Sequence, residues 1–401
     1  MRICSNVAGE QLRFLKKCLE HAGYEAALHT PIDEASYRRL SSGGRLGRLW
    51  LRVRMYLTYP LGLIWRALRD PSEVLYIVTS NGFHAPWLAA EARALKDAPV
   101  VHLLYDLFPD ALEVAGSWER DSMASRLVGG VQQRTQRICA GTVYLGEFLR
   151  AHAEARWGEA ALSMVADVSA ETDATPPELK PPDDTLVFRY GGQLGWMHEA
   201  ELLANCIRAV VENPPKERAV RFELNVSGAR AAWIQDALKG LPGVEVTGTL
   251  PIEAWRAHAP NCHVGLVTLQ PGGATVCHPS KSYGMLAHGL ALLVLCPQWS
   301  DLARLVHRTQ TGVVVSTTPE GVVPEPGGTD YFQLVEQRRA EAKVIEEFKA
   351  AVHGLAAKPE LLAQARLNAQ RAMRDQFNAD SLGARWSGFL EAVVASRAAE
   401  N

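Results

Sequence analysis

Two loops in the second half of the chain carry the residue types that hold anions. The first is Tyr190-Gly191-Gly192-Gln193-Leu194-Gly195, directly after the apolar run Leu186–Tyr190 and before a helical pattern near Glu199–Val210. Glycines at a strand-to-helix turn let backbone N–H groups approach a ligand closely. The same glycines suit a plain tight turn, and their spacing is not the GxGxxG of dinucleotide sites. The second loop is His278-Pro279-Ser280-Lys281-Ser282-Tyr283-Gly284, which leads through Met285–Gly289 into the apolar run Leu290–Leu295. Pro279 and Ser280 are helix-start residues. The exposed N–H groups and dipole of a helix starting there favour an anion. Lys281 in its first turn opposes the dipole, so it costs stability unless an anion offsets it. A solvated Lys281 is the simpler alternative.

Asp106, with Tyr105, closes the run Val100–Tyr105, at the strand edge where α/β proteins hold ligands. There it either accepts or orients the proton of a hydroxyl, or it is a turn or cap residue in DLFPD. His84, in the loop SNGFHAP (80–86), either meets an incoming acceptor or is structural. His198 follows the glycine loop and so faces the cleft if the elements pack as expected. Asp110 and Glu113 read as capping or solvated residues of the next helix. His102 reads as buried, and His278 and His288 as structural.

The elements that position these groups alternate. Val74–Thr79, Val100–Tyr105 and Gly141–Leu145 read as buried strands, with helices such as Ala85–Leu95 between them. Residues 164–185 are Pro-rich and acidic, which reads as a linker. A second series follows, with strand candidates Leu186–Tyr190, Phe222–Val226, Val244–Thr247, Val264–Thr268 and Leu290–Leu295, and a helical chain after Tyr331. Such alternation predicts an α/β fold of parallel sheets with helical crossovers. A length of 401 residues with 47% apolar content suits two domains with a cleft between them.

The formal net charge of −2 excludes a global field for nucleic acid. The seven cysteines form no CxxC pair, so neither a disulfide framework nor a zinc framework is expected, which fits a reducing cytoplasm. No secretory leader is visible, and no window reaches the ~18 apolar residues needed to span a bilayer. Any membrane contact is therefore superficial. One stretch invites it. Between Arg38 and Arg69 there are eight arginines and no acidic residue. Leu46, Leu49, Trp50, Val53 and Leu57 recur at helical spacing, Arg45, Arg48 and Arg52 fall mostly elsewhere on the wheel, and Tyr56, Tyr59 and Trp65 add aromatics. A basic amphipathic helix with aromatics suits anionic lipid headgroups. The alternative is a solvated basic face on a helix packed against its own domain.

Three segments in order resemble the family-four GT-B glycosyltransferases, within the branch that builds capsule, colanic-acid-type and O-antigen polysaccharides. They are YGGQLGWMHEAELL (190–203), GLVTLQPGGATVCHPSKSYGMLAHGLALLVL (265–295) and SDLARLV (300–306). LNVSGAR (224–230), GVEVTGTLPIEAW (243–255) and YDLFPDALEVAG (105–116) are similar to further segments of that family. The resemblance implies two facing Rossmann-like domains. An acceptor domain would span 1–165, a nucleotide-sugar domain 186–365, and helices at 366–401 would cross back to the first. It implies transfer, with retention, from a nucleotide-diphosphate sugar to a lipid-linked or saccharide acceptor at the inner face of the membrane. No metal and no cofactor are expected. The donor is placed on Gly192, Gln193, Gly195, Arg230, Ser280, Lys281 and Tyr283, and the catalytic candidates are Asp106, His198 and Asp301. His84, Tyr105, Arg45, Arg48, Trp50 and Arg52 are placed on the acceptor and membrane side. The sequence departs from the family where Gln193 replaces an arginine, His198 a lysine and Gly284 a glutamate. Lys281 then neutralises phosphate with Arg189 or Arg230 as helper, and Asp301 serves the ribose or sugar. Two other readings stay open: a non-enzymatic sugar-nucleotide-binding partner, which the departures at Gln193 and Gly284 keep alive, and a GT-B nucleotide-sugar epimerase, against which the basic stretch argues.

Overall fold

The computed structural model describes residues 1–7, 9–33, 36–37, 40, 44–170, 178–179, 184–328 and 338–400. Arg38 and Arg39, which open the basic stretch, lie outside the described residues, as do half of the expected linker and the segment 329–337.

Two six-stranded sheets form, and all strand pairs in both are parallel. The first comprises β1 (Arg2–Cys4), β2 (Ala27–His29), β3 (Tyr76–Thr79), β4 (Val100–Leu104), β5 (Gly141–Tyr144) and β6 (Ser163–Val165), in the order β2-β1-β3-β4-β5-β6. The second comprises β7 (Thr185–Gln193), β8 (Ala219–Ser227), β9 (Val244–Gly248), β10 (Val264–Thr268), β11 (Ala291–Cys296) and β12 (Gly312–Ser316), in the order β12-β11-β10-β7-β8-β9. Helices cover both faces of each, so central strands such as β11 (ALLVLC) and β10 (VGLVT) are buried along their whole length.

The expected strands all form, with two physical differences. β7 runs three residues past Tyr190 because β8 is equally long and pairs Gly191, Gly192 and Gln193 with Asn225, Val226 and Ser227. The glycines therefore end a strand rather than form a separate turn; Gly192, at φ +104°, is the one that needs to be glycine there. The tail also returns later than expected. The helix Pro359–Asp375 stays on the second half, where Arg366 donates through Nε to Gly289 O at 3.0 Å. Only the helix Ala379–Glu400 lies on the first, placing Trp386, Phe389, Leu390 and Val393 in one apolar cluster with Ile3, Leu12 and Val143.

The halves are sewn together by polar contacts. Leu107 N–H donates to Val276 O at 3.0 Å, beside an antiparallel bridge between Asp106 and Cys277. Val276 sits in the apolar cluster of the first half. Asp110 and Glu113, expected as caps or solvated groups, are instead fully buried. Arg156 Nη1 donates to Asp110 at 2.8 Å and Nη2 to Glu113 at 3.0 Å, while Trp157 Nε1 donates to Asp110 at 2.8 Å. His152 joins this network at 3.1 Å from Asp110, and its Nδ1 accepts from Gly327 N–H at 3.0 Å. Buried carboxylates are retained when such partners replace water.

Helical residues 45–69 run as Arg45–Val53, a π turn at Arg54–Thr58, and Tyr59–Arg69. Leu51, Tyr59, Pro60, Leu63 and Ala67 face the protein. Leu46 (82% exposed), Leu49, Trp50 (55%), Leu57, Leu61 and Trp65 face outward. The apolar stripe read from the sequence is thus not what packs on the domain. No helix among the described residues is long and apolar enough to cross a membrane.

Candidate functional site

The carboxyl ends of β7 and β8 open into a cavity of about 600 Å³. Gly191, Gly192, Gln193, Asn225, Ser227 and Lys281 line it from the second half, with Thr249, Leu250 and Trp255 on one wall. Glu10, Arg13 and Tyr37 line it from the first half. A Cβ added at Gly191, Gly192 or Gly284 would meet no atom within 4 Å, so these glycines leave room for a ligand.

Lys281 is a cation of this cavity, alongside Arg13 and Arg189. Its Nζ donates to Tyr190 Oη at 2.7 Å, Gln193 O at 2.6 Å and His198 Nε2 at 2.8 Å, and lies 4.4 Å from the Tyr190 ring centroid. All three donors of the ammonium are used, but on neutral acceptors. Burial pulls its pKa down to about 7. Burial, then the Lys281 charge, pulls that of His198 down to about 3, so the imidazole is neutral and accepts. An anion in the cavity would replace weak neutral partners with a charge-assisted one.

Lys281 begins a helix of only seven residues, Lys281–Ala287, and Ser280 precedes it without a side-chain cap bond. Gln193 contributes its carbonyl to Lys281 and an exposed side chain to the cavity. Gly195 accepts from the His198 backbone N–H at 3.2 Å.

Four expectations change. Tyr283 does not reach the donor cavity: it is buried, donates to Asp167 at 2.8 Å and packs edge-on to Phe377. Asp301 does not face it either. Its carboxylate accepts from the Phe148 and Leu149 N–H groups at 3.1 and 3.3 Å, capping the helix Glu147–Trp157 of the first half. The open first turn of that helix supplies N–H donors that a carboxylate satisfies. Arg230 is paired with Glu201, lies against the Trp196 and Trp233 rings, and with His198 borders a separate cavity. Arg189 does line the donor cavity, but it is buried and already engaged, 3.4 Å from Glu223 and 4.5 Å from the centroid of the Trp255 ring. Glu223, His258 and Cys262 have metal-ligand spacing. Glu223 already pairs with Arg189, Arg221 and His258, and two guanidiniums beside the carboxylate disfavour a cation there.

Across the cleft, Ser80 Oγ accepts from the N–H groups of Tyr105 and Asp106 at 3.0 and 3.1 Å. Burial raises the Asp106 pKa to about 6 and also raises that of the Tyr105 phenol. His84 donates through Nε2 to Tyr56 O at 3.1 Å. Tyr56, Phe83, His84 and Phe108 form a chain of rings with centroids 4.9–6.3 Å apart. This chain of rings runs from the exposed helix to Phe108, two residues past Asp106. Arg45, Arg48, Trp50 and Arg52 are exposed on that helix. Asn225 and Trp255, missed as site residues, lie within segments that resemble the family; Glu10, Arg13 and Tyr37 carry no such signal and enter only through the packing of the halves.

Two facing, helix-covered parallel sheets with a cavity at the carboxyl ends of the second define the GT-B fold. Solved structures agree. The chain is similar to Anabaena HepE in complex with UDP, with a TM-score of 0.61 and 14% identity over 98% of this chain and 100% of that one. It is also similar to the sucrose-phosphate synthase of Thermosynechococcus elongatus, with a TM-score of 0.66 and 13% identity over 99% and 100%. At these identities the likeness shows the fold. In sequence, it is 23% identical to the probable glycosyltransferase WbjE of Pseudomonas aeruginosa over 221 residues, 53% of this chain. The match spans about half of that relative, 54%. No family model matches the chain.

Proposed function

We propose that this chain is a glycosyltransferase that moves a sugar from a nucleotide-diphosphate donor to a lipid-linked acceptor in polysaccharide or glycolipid synthesis. The observation that carries the reading is Lys281, held by Tyr190, Gln193 and His198 beside a glycine-lined cavity between the two halves. The UDP named with HepE and the glycosyltransferase named in WbjE support it.

In this reading the diphosphate lies against Gly192, Gln193 and Lys281. The acceptor hydroxyl oxygen bonds to the anomeric carbon, the bond from that carbon to the β-phosphate oxygen breaks with its electron pair leaving on the phosphate, and the hydroxyl proton passes to Asp106. Lys281, protonated as the anion arrives, stabilises that charge where it develops. Its position makes a metal unnecessary. His198 orients Lys281 rather than transferring a proton itself. Asp106, ionised above its pKa of about 6, accepts the hydrogen bond of the attacking hydroxyl. Asp301 and Tyr283 hold the two halves in register. Retention follows the family resemblance. The acceptor approaches along the Tyr56–Phe83–Phe108 rings from the inner face of the membrane, where the outward Leu46, Leu49 and Trp50 and the arginines beside them rest.

The test is a set of UDP-, GDP-, ADP- and dTDP-sugars incubated with the protein and lipid-linked acceptor, with NMR of the product for anomeric configuration. Transfer should proceed in EDTA. Abolition by EDTA with rescue by Mg²⁺ or Mn²⁺ would remove the metal-free mechanism. The open space at Gly284, where the resemblance expects a carboxylate, favours one second reading, a sugar-nucleotide-binding partner without turnover. Nucleotide binding with neither transfer nor donor hydrolysis would establish it.

A further inference from the structure

A second cavity, of about 310 Å³, opens on the second half alone. Its walls are Trp196, Gln270, Thr317 and three arginines, Arg230, Arg338 and Arg339, with glutamates between them. Among the described residues, none of the first half lines it, so a ligand there does not face Asp106 or an incoming acceptor. We propose that this cavity is a secondary binding site for a short, uncharged saccharide, distinct from donor and acceptor positions.

Its polar groups argue for a neutral, hydroxyl-rich ligand. Each arginine is already neutralised: Arg230 by Glu201, Arg338 by Glu199 at 2.8 Å, and Arg339 by Glu347. An anion would have to displace a carboxylate, whereas a polyol need not. Thr317 is 2% exposed and borders the cavity, yet among the described residues its hydroxyl has no partner, and neither does Arg338 Nε. A buried hydroxyl or N–H left unpaired is costly, and sugar hydroxyls both donate and accept. At the lip, Trp196 is 52% exposed. An indole offers a flat apolar face to the C–H face of a pyranose while its edge remains wet. The lip is pre-set: Gln270 donates its side-chain amide to Trp196 O and its backbone N–H to Met197 O at 2.9 Å. The volume is near the lower end of the ~300–1,000 Å³ of small-molecule sites, which suits a mono- or disaccharide. A glycan-building enzyme with such a site would keep a growing chain near its cleft.

Saturation-transfer NMR on the full chain tests this, with glucose, galactose, N-acetylglucosamine and lactose as probes. At least one should bind, and saturating UDP should not displace it. Thr317→Val, which keeps the shape and removes the hydroxyl, should weaken it about tenfold, the worth of one buried hydrogen bond. Trp196→Ala should weaken it at least as much. Both variants should bind UDP like the parent, which also reports that they are folded. Should either fail to fold, competition on the parent decides: inorganic phosphate should not displace the sugar. The proposal is overturned if none of the four sugars binds, if UDP or phosphate displaces the bound sugar, or if both variants bind it like the parent. Failure of UDP to bind while a sugar does would count against the donor reading alone.

Discussion

Burial moves Lys281 and Asp106 toward each other on the pH scale, one down to about 7 and the other up to about 6. Asp106 must be ionised to accept a hydrogen bond, so its contribution grows as pH rises through about 6. Lys281 must be protonated to meet phosphate, so in the free protein its contribution falls as pH rises above about 7. The product of these two states gives kcat/KM a narrow bell centred between them. Asp106→Asn should erase the acid limb and lower the maximum. Lys281→Arg should push the alkaline limb upward, because a guanidinium stays charged. A flat profile between pH 5 and 9 in the parent would separate both groups from the reaction. The places of Lys281 and Asp106 were legible in sequence, Lys281 after the helix-start residues Pro279 and Ser280 and Asp106 just past an apolar run, where neighbours in sequence suffice. Tyr283 and Asp301 were not. Their partners, Asp167 and the amides of Phe148 and Leu149, lie more than a hundred residues away, and only the packed halves bring them together.

At the scale of elements, the long apolar runs of β10 and β11 are nearly self-defining, and their bounds differ from the sequence reading by at most one residue. β1, β2 and β6 have three residues each, too few to show a period. The basic helix illustrates a different limit. Periodicity revealed its apolar stripe but not which way the stripe points; the structure turns Leu46, Leu49 and Trp50 to solvent and anchors the helix through Leu51. If that face meets lipid, the protein should bind vesicles containing anionic lipid and ignore neutral ones. Binding should fall between low and physiological salt, where charges are screened within about 8–10 Å. Changing Arg45, Arg48 and Arg52 together to Gln should remove about 1 kcal/mol of binding per charge. Thermal stability should hardly change, because the three side chains are exposed. Sedimentation with phosphatidylserine vesicles measures this, and parent-like binding by the triple variant would leave the arginines without a membrane role.

The whole molecule brings Lys281 of one half and Glu10, Arg13 and Tyr37 of the other onto one cavity. Leu107 with Val276, Asp301 with the helix Glu147–Trp157, and Gly327 with His152 fix the halves to each other. The helix Ala379–Glu400 closes the arrangement by packing on Leu12 and its neighbours. A cavity lined from both sides follows from this assembly and from neither sheet alone, which is why Glu10, Arg13 and Tyr37 could not be read as site residues. The central claim is that Lys281 meets the diphosphate of a nucleotide sugar. Calorimetric titration of parent and Lys281→Ala with UDP and with uridine tests it most directly, after a screen has confirmed that UDP is a ligand or substituted the diphosphate that is. The variant should lose about 1.5–3 kcal/mol for the diphosphate, the worth of a charge-assisted contact, and little for the nucleoside. Equal losses for both ligands, or none for the diphosphate, would contradict the account.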